Sequence, residues 1–188
     1  MPVCSVGLKI DFVPTAAEWT TNMGISLIPK IRIDSVLDIS PEMLHKRGIS
    51  LLLLDLDNTL APYSGQAPGE ELFRWKKSMN DAGIELFIVS NTKTKRAHVF
   101  AASFGVSYIN KAKKPSSVRI VEAVNRCGKT VDQSALAGDQ IFTDVLGANI
   151  SGVTSIAVKP TNLKNPLMAI RYVLEYPFRI FGKRETVF

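Results

Sequence analysis

The sequence predicts an α/β domain built on a parallel sheet with helices on both faces, and three observations carry that reading. Short apolar runs alternate with longer amphipathic stretches along most of the chain. One run, residues 49–54, is almost continuously apolar, as a strand covered on both faces must be. Glycine stands where several amphipathic stretches end, at Gly48, Gly83, Gly105 and Gly128, which marks helix C-termini.

The elements follow in order. Residues 1–22 show no steady period and are expected to form a loose arm. Residues 23–33 are apolar, with two basic residues and a proline. Ser40 followed by Pro41 reads as an N-cap with proline at the first helical position, opening a short helix that closes at Gly48. A strand at 49–54 leads to a helix over about 69–82 and a strand at 84–89. A helix over about 93–104 precedes a short strand near 106–109, and another helix runs from after Pro115 to near Gly128. A strand at 134–137, a helix at 143–150 and a strand at 153–158 complete the pattern. A turn-rich link, 159–166, leads into an aromatic and basic tail. The expected organisation is therefore an arm (1–22), a folded domain (23–160) and a C-terminal segment (161–188).

The 188 residues suffice for one domain with a sizeable core. With 46% hydrophobic and 21% charged residues, the composition is that of a globular protein and excludes a disordered chain. A net charge of +6 favours an anionic partner: a phosphorylated substrate, nucleic acid or an acidic membrane. Two cysteines, Cys4 and Cys127, make neither a disulfide framework nor a zinc set, which fits a reducing cytoplasm. The N-terminus carries Lys9 and Asp11 and lacks the apolar core of a secretory signal. No stretch offers the roughly eighteen apolar residues that span a bilayer. The expectation is a cytoplasmic protein, at most peripheral at the inner face of the membrane.

In open α/β sheets, ligands bind beyond the carboxyl ends of the strands. The reactive side chains fall there. Asp55 and Asp57 follow the first apolar run, and Ser90 and Asn91 follow the second. Lys114 lies in the loop before the Pro115 helix, its place next to that proline favouring it over Lys111 and Lys113; Asp139 and Asp144 follow the run 134–137. Asp55 and Asp57 are two apart, so on an extended chain they point the same way. Close carboxylates repel unless a cation lies between them. With Asp139 and Asp144 they form a hard oxygen site suited to Mg²⁺. Asp55 can then attack phosphorus, and Asp57 can protonate the leaving oxygen and later activate water. The Ser90 hydroxyl, the Asn91 backbone N–H and the Lys114 ammonium are placed to hold the phosphate oxygens. Asp144 has the alternative of capping the helix that starts there. Thr59 and Thr92 read as turn supports, and His45 and His98 as surface residues.

The motifs DLDNTL, VSN, KKP and GDQIFTD, in this order and each at a strand end, resemble the four motifs of the haloacid dehalogenase (HAD) superfamily. The resemblance spans roughly residues 36–158 and implies a Rossmann-like HAD fold. It implies Asp55 as nucleophile, Asp57 as acid/base, Ser90 and Lys114 for phosphate, and Asp139 and Asp144 as the magnesium pair; Asp55 and Asp57 join that metal set on the carboxylate reading. The phrases IDSVLDISPEMLHKRGI and GDQIFTDVLGAN look most like the subfamily IIIA, YqeG-type members, which are similar to phosphatidylglycerophosphate phosphatases.

Spacing bears on substrate. Asp57 and Ser90 are 33 residues apart, and Ser90 and Lys114 are 24 apart, which leaves no room for a cap domain at either place. Only residues 61–68 can act as a flap, so the site is open to a large or membrane-borne phosphate ester. From residue 159 onward there are six Lys or Arg and two Glu, a net +4. Leu167, Ile170, Leu174, Phe178 and Phe181 recur near one helical turn, with Pro177 expected to interrupt the helix. Such a segment can lie in an anionic membrane interface. The reading favoured here is a helix packed on the sheet with its charges facing water. The run Lys93, Lys95, Arg96 either guides an anionic substrate or is a solvated helix face. The leading expectation is a Mg²⁺-dependent phosphatase working through an aspartyl-phosphate and converting phosphatidylglycerophosphate to phosphatidylglycerol. The alternatives are a phosphatase of soluble esters, such as sugar phosphates or nucleotides, and a basic module binding RNA or a ribosomal partner. Convergent carboxylates repel nucleic acid, and no aromatic-basic RNA signature is present, which argues against the last.

Overall fold

The computed structural model describes residues 25–62 and 67–184. The expected arm at 1–22 and the middle of the expected flap lie outside the described residues. Among the described residues seven strands form one sheet in which every pairing is parallel. In chain order they are β1 (Ile31–Arg32), β2 (Leu51–Leu54), β3 (Glu85–Val89), β4 (Ser107–Ile109), β5 (Ser134–Gly138), β6 (Thr154–Ala157) and β7 (Lys183–Arg184). The helices are α1 (Pro41–His45), α2 (Glu70–Asp81), α3 (Arg96–Phe104), α4 (Val118–Arg126), α5 (Leu146–Ser151) and α6 (Pro166–Ile180).

The spatial order β4-β3-β2-β5-β6-β1-β7 puts β2 at the centre. From β2 the chain builds outward through β3 and β4 on one side, then returns to β5 and builds outward on the other. The strand order reverses between β2 and β5, and there the loops that leave the two strands diverge and open a crevice.

The pleat divides the core in two. Leu52, Leu54, Leu86, Ile88, Ala135 and Ala137 face one way, into the cluster that holds the buried faces of α1, α2 and α3. Leu51, Leu53, Phe87, Val89 and Leu136 face the other way, against Ile120, Ala123 and Val124 of α4 and Ala148 of α5. Neighbours along each strand thus serve opposite faces, so the run of leucines in β2 is buried throughout. Each such side chain contributes on the order of 2 kcal/mol by leaving water. The expected N-cap is present: Ser40 Oγ accepts from the Met43 amide at 3.2 Å, with Pro41 in the first turn. On α2, Leu72, Trp75 and Met79 form the buried stripe, and Trp75 Nε1 donates to the Ile39 carbonyl at 2.8 Å.

Four features depart from the expectation. Ile31 and Ile33 are buried on either side of Arg32, so a strand hides in the apolar stretch 23–33. Its outer neighbour β7 is two basic residues with no strand signature. The helix expected at 143–150 starts earlier, as a π-helical turn over Ile141–Val145 that runs into α5. Finally, α6 continues through Pro177. The bond that Pro177 forfeits would reach the Val173 carbonyl on the helix's outer side, while Glu175, Phe178 and Arg179 hold the inner side.

Replacing Trp75 by Phe removes the donor to the Ile39 carbonyl. Urea unfolding of Trp75→Phe should show a loss of about 1–3 kcal/mol; unchanged stability would mean this bond does not help fasten α2 to the segment before α1.

Candidate active site

The site grows from the ends of β2, β3 and β5. The Asp55 amide donates to the Ala137 carbonyl at 2.9 Å, which keeps the chain in register with β5 one residue past the end of β2. The turn that follows places Asn58 at φ 62, a left-handed conformation that asparagine tolerates better than most residues. At the end of β5, Gly138 is obligatory for space: a Cβ there would collide with the Asp144 carboxylate. The π-helical turn brings Asp144 back over this strand end, where its Oδ2 accepts from the Gln140 amide at 3.0 Å. Such turns cluster at functional sites because they re-aim one side chain without ending the helix.

Lys114 lies at the centre. Its ammonium is buried and sits 2.6 Å from Asp55 Oδ1, 2.8 Å from Asp144 Oδ1 and 2.7 Å from the Val89 carbonyl. Lys111 and Lys113 are exposed, so the structure selects Lys114 among the three. Asn91 clamps its backbone: Oδ1 accepts from the Lys114 amide at 2.7 Å, and Nδ2 donates to the Lys114 carbonyl at 3.1 Å. Ser90 is fully buried, and its Oγ accepts from the Thr92 amide at 3.2 Å.

Oxygens of Asp55, Asp139 and Asp144 lie within 4.8 Å of one another. Asp57 stands outside that group; Arg96 of α3 pairs with its carboxylate and also donates to the Pro62 carbonyl at 2.6 Å. Of the basic run at the start of α3, the structure thus brings Arg96 to the site. Thr59 Oγ1 donates to Asp139 Oδ1 at 3.5 Å. A cleft of about 160 Å³ is lined by Asp55, Asp57, Asn91, Lys114 and Asp144, and also by Thr92, Gln140 and Thr143. Gln140 and Thr143 lie inside the motif GDQIFTD, in which the two carboxylates carry the chemical signal.

Burial pushes the Asp55 carboxyl up to about 7, with Asp144 and Asp57 adding to the rise and Lys114 opposing it. Burial likewise pushes Asp139 up to about 8, reinforced by Asp144 and Asp55. Asp57 is raised by burial against the pull of Arg96 and Lys114. Burial acts against the Lys114 ammonium, but Asp144 and Asp55 outweigh it and the net direction is upward. One cation therefore does not balance the negative charge gathered here. Among the described residues Asp55 Oδ2 is buried without a hydrogen-bond partner, beside carboxylates that offer only oxygen. That is the setting a magnesium ion fits, with Asp55, Asp139 and Asp144 as its candidate holders.

The C-terminal helix packs alongside this site, and the expectation that its charges face water is overturned for Glu175 and Arg179. Glu175 and Arg179 are buried. Arg179 donates to the carbonyls of Asp139 and Val158, the latter at 2.9 Å, and pairs with Glu175 at 3.2 Å. Glu175 accepts the Phe142 amide at 3.2 Å, and Arg171 donates to Gln140 Oε1 at 2.7 Å. The backbone of the carboxylate loop needs these partners, and α6 turns its charged side inward to provide them.

Carboxyl groups raised in the fold stabilise it below about pH 4, where both states are protonated, and that contribution is lost as pH rises through 7 to 8. Without metal, the melting temperature should therefore fall from pH 6 to pH 8.5 faster than in Asp139→Asn. Magnesium displaces the same protons, so its stabilising increment should be larger at pH 8.5 than at pH 6. Thermal denaturation checks both; an equal increment at the two values would contradict the metal assignment. Gly138→Ala, by displacing Asp144, should weaken the magnesium affinity read from the same melts by about tenfold or more.

Residues 20–161 match the model of the family described as "Mitochondrial PGP phosphatase". The chain is 33% identical over 133 residues to "Probable phosphatase YqeG" of Bacillus subtilis (strain 168), covering 71% of this chain and 77% of that protein. Among solved structures, a 3-deoxy-D-manno-octulosonate 8-phosphate phosphatase from Moraxella catarrhalis, in complex with magnesium ion, phosphate ion and KDO, aligns at 16% identity and a TM-score of 0.46 over 74% of this chain and 94% of that one. A subfamily III A HAD hydrolase from Legionella pneumophila aligns at 16% identity and a TM-score of 0.46, over 72% and 94% of the two chains. With its family model and its curated relative in agreement, the chain belongs to the YqeG-type, PGP phosphatase family of HAD superfamily phosphatases.

Proposed function

We propose that this phosphatase is magnesium-dependent and removes the terminal phosphate of phosphatidylglycerophosphate, giving phosphatidylglycerol, through an aspartyl-phosphate on Asp55. The observation that carries the reading is the buried Lys114 ammonium held between Asp55 and Asp144, on the far oxygen from the unpartnered Asp55 Oδ2. Bound magnesium would supply charge neutralisation for the phosphate and the carboxylates. In the first step an Asp55 oxygen forms a bond to phosphorus while the bond from phosphorus to the glycerol oxygen breaks. Asp57 gives its proton to that oxygen. In the second step water attacks phosphorus, Asp57 takes a proton from it, and the Asp55 carboxylate is restored as phosphate leaves. Lys114 neutralises Asp55 between steps and meets a phosphate oxygen during them. The Ser90 hydroxyl, whose oxygen already accepts the Thr92 amide, keeps its proton for another phosphate oxygen. Arg96 holds Asp57 in place until a substrate competes for it.

The size of the cleft supports a substrate that is mostly outside it. A cavity of about 150 Å³ accepts a benzene-sized molecule, so a cleft of about 160 Å³ takes a group on that scale, such as a phosphate, and not a whole lipid. Between β2 and β3 the described chain offers α2 and loops, and between β3 and β4 it offers α3, with no domain to cover the cleft. The family description names the same phosphate ester. The protein would meet it from the cytoplasmic side of the membrane.

Phosphate release from phosphatidylglycerophosphate in mixed micelles and from a panel of soluble esters tests the reading. It predicts magnesium-dependent activity on the lipid and a loss of at least about 1,000-fold in Asp55→Asn. Activity confined to soluble esters would overturn the lipid substrate, and full activity of the variant would overturn Asp55 as nucleophile.

A further inference from the structure

The outer side of α6 is the reverse of what a water-facing helix presents. Its charged residues, Arg171, Glu175 and Arg179, all lie on the inner side against the carboxylate loop. Leu167, Ile170, Val173 and Leu174, with Phe181 at the helix end, have more than half of their surface open, up to 77% for Leu167. Tyr176 and Ile180 extend the same face. At 3.6 residues per turn this apolar arc covers about half of the helix circumference. Surface helices of water-soluble domains bury their apolar stripe, and an open patch of this kind marks a docking site.

We propose that this face of α6 docks on an anionic lipid bilayer, with the helix lying in the interface and the catalytic cleft opening at headgroup level. Charge selects this occupant. The acid of α6, Glu175, is buried, while exposed Lys164 precedes the helix and exposed Lys183 follows it, beside Arg184, which pairs with Asp34 at 3.4 Å, so the apolar arc has a cation at each end. Anionic headgroups complement that arrangement, whereas a second copy would set like charges against each other. Width points the same way: half a circumference suits immersion in a surface better than the narrower stripe that one helix covers. Length forbids crossing, since fifteen residues of helix extend only about 22 Å. The cleft lies alongside: Asn58 Nδ2, next to Asp57, contacts Met168 Sδ at 3.1 Å, and Arg171 bonds the cleft residue Gln140. This gives the substrate proposed above its route to the site, and it rests on that reading for its purpose but not for the binding itself.

Co-sedimentation of the full chain with vesicles of phosphatidylcholine alone, or with about one third phosphatidylglycerol, tests the proposal. Binding should be stronger to the anionic vesicles by about tenfold or more and should weaken with salt. Ile170→Glu combined with Leu174→Glu should abolish it while keeping the melting temperature and the hydrolysis of a soluble aryl phosphate. Absence of wild-type binding, or binding retained by the double variant, would overturn the proposal. So would a wild-type dimer in analytical ultracentrifugation that the double variant dissociates, since the face would then belong to a second copy. Vesicle binding without hydrolysis of phosphatidylglycerophosphate would leave the docking face standing and remove the lipid substrate instead.

Discussion

A single buried ammonium sets the terms for the rest of the site. Lys114 is out of water, 2.6 Å from Asp55 and 2.8 Å from Asp144, and it reaches that place because Asn91 grips its backbone and the Val89 carbonyl accepts its third contact. Removing one member of such a buried ion pair costs about 3–5 kcal/mol, because the partner is left as an uncompensated charge. The charge is still unbalanced with Lys114 in place, since burial raises Asp55 and Asp139 well above the ordinary carboxylate range. The fold thus holds a deficit of positive charge at one spot, and in the function proposed here that deficit is what would draw in a divalent cation and then a phosphate. On that reading, stability without ligand is given up to make a site that would be complete only with them.

The sheet supplies the geometry for this. Asp55 and Asp139 leave adjacent strands, β2 and β5, at the point where strand order reverses. Small residues in β5 let the loops close in: Ala135 and Ala137 pack beneath, and Gly138 leaves the space that the Asp144 carboxylate occupies. The π-helical turn then trades ideal helical bonding for the inward aim of Asp144.

Much of this was legible in the sequence because it follows from short-range rules. The unbroken apolar run of β2, the Ser40 cap and the strand-end positions of Asp55, Ser90 and Asp139 all depend on neighbours close in the chain. What escaped depends on distant partners. Ile31–Arg32 is too short for period to mark it, and Lys183–Arg184 becomes a strand only because β1 offers an edge. Arg96 reads equally as a guide for an anionic substrate or as a solvated cation until α3 brings it to Asp57, 39 residues away in sequence. The tail shows the same effect most fully. Its apolar and basic residues suggested charges toward water, yet the Asp139 and Val158 carbonyls and the Phe142 amide need polar partners, and α6 provides them. Its apolar side is left outward as a result.

The proposed chemistry depends on a bond from Asp55 to phosphorus. An aspartyl-phosphate is an acyl phosphate, and borohydride reduces it to homoserine. Enzyme mixed with substrate and magnesium, quenched in acid during turnover and reduced, can be digested and read by mass spectrometry. Conversion of Asp55 to homoserine, dependent on substrate and magnesium and absent at Asp57 and Asp139, is the predicted result. Unmodified Asp55 under conditions of active turnover, or conversion at another carboxylate, would contradict the account.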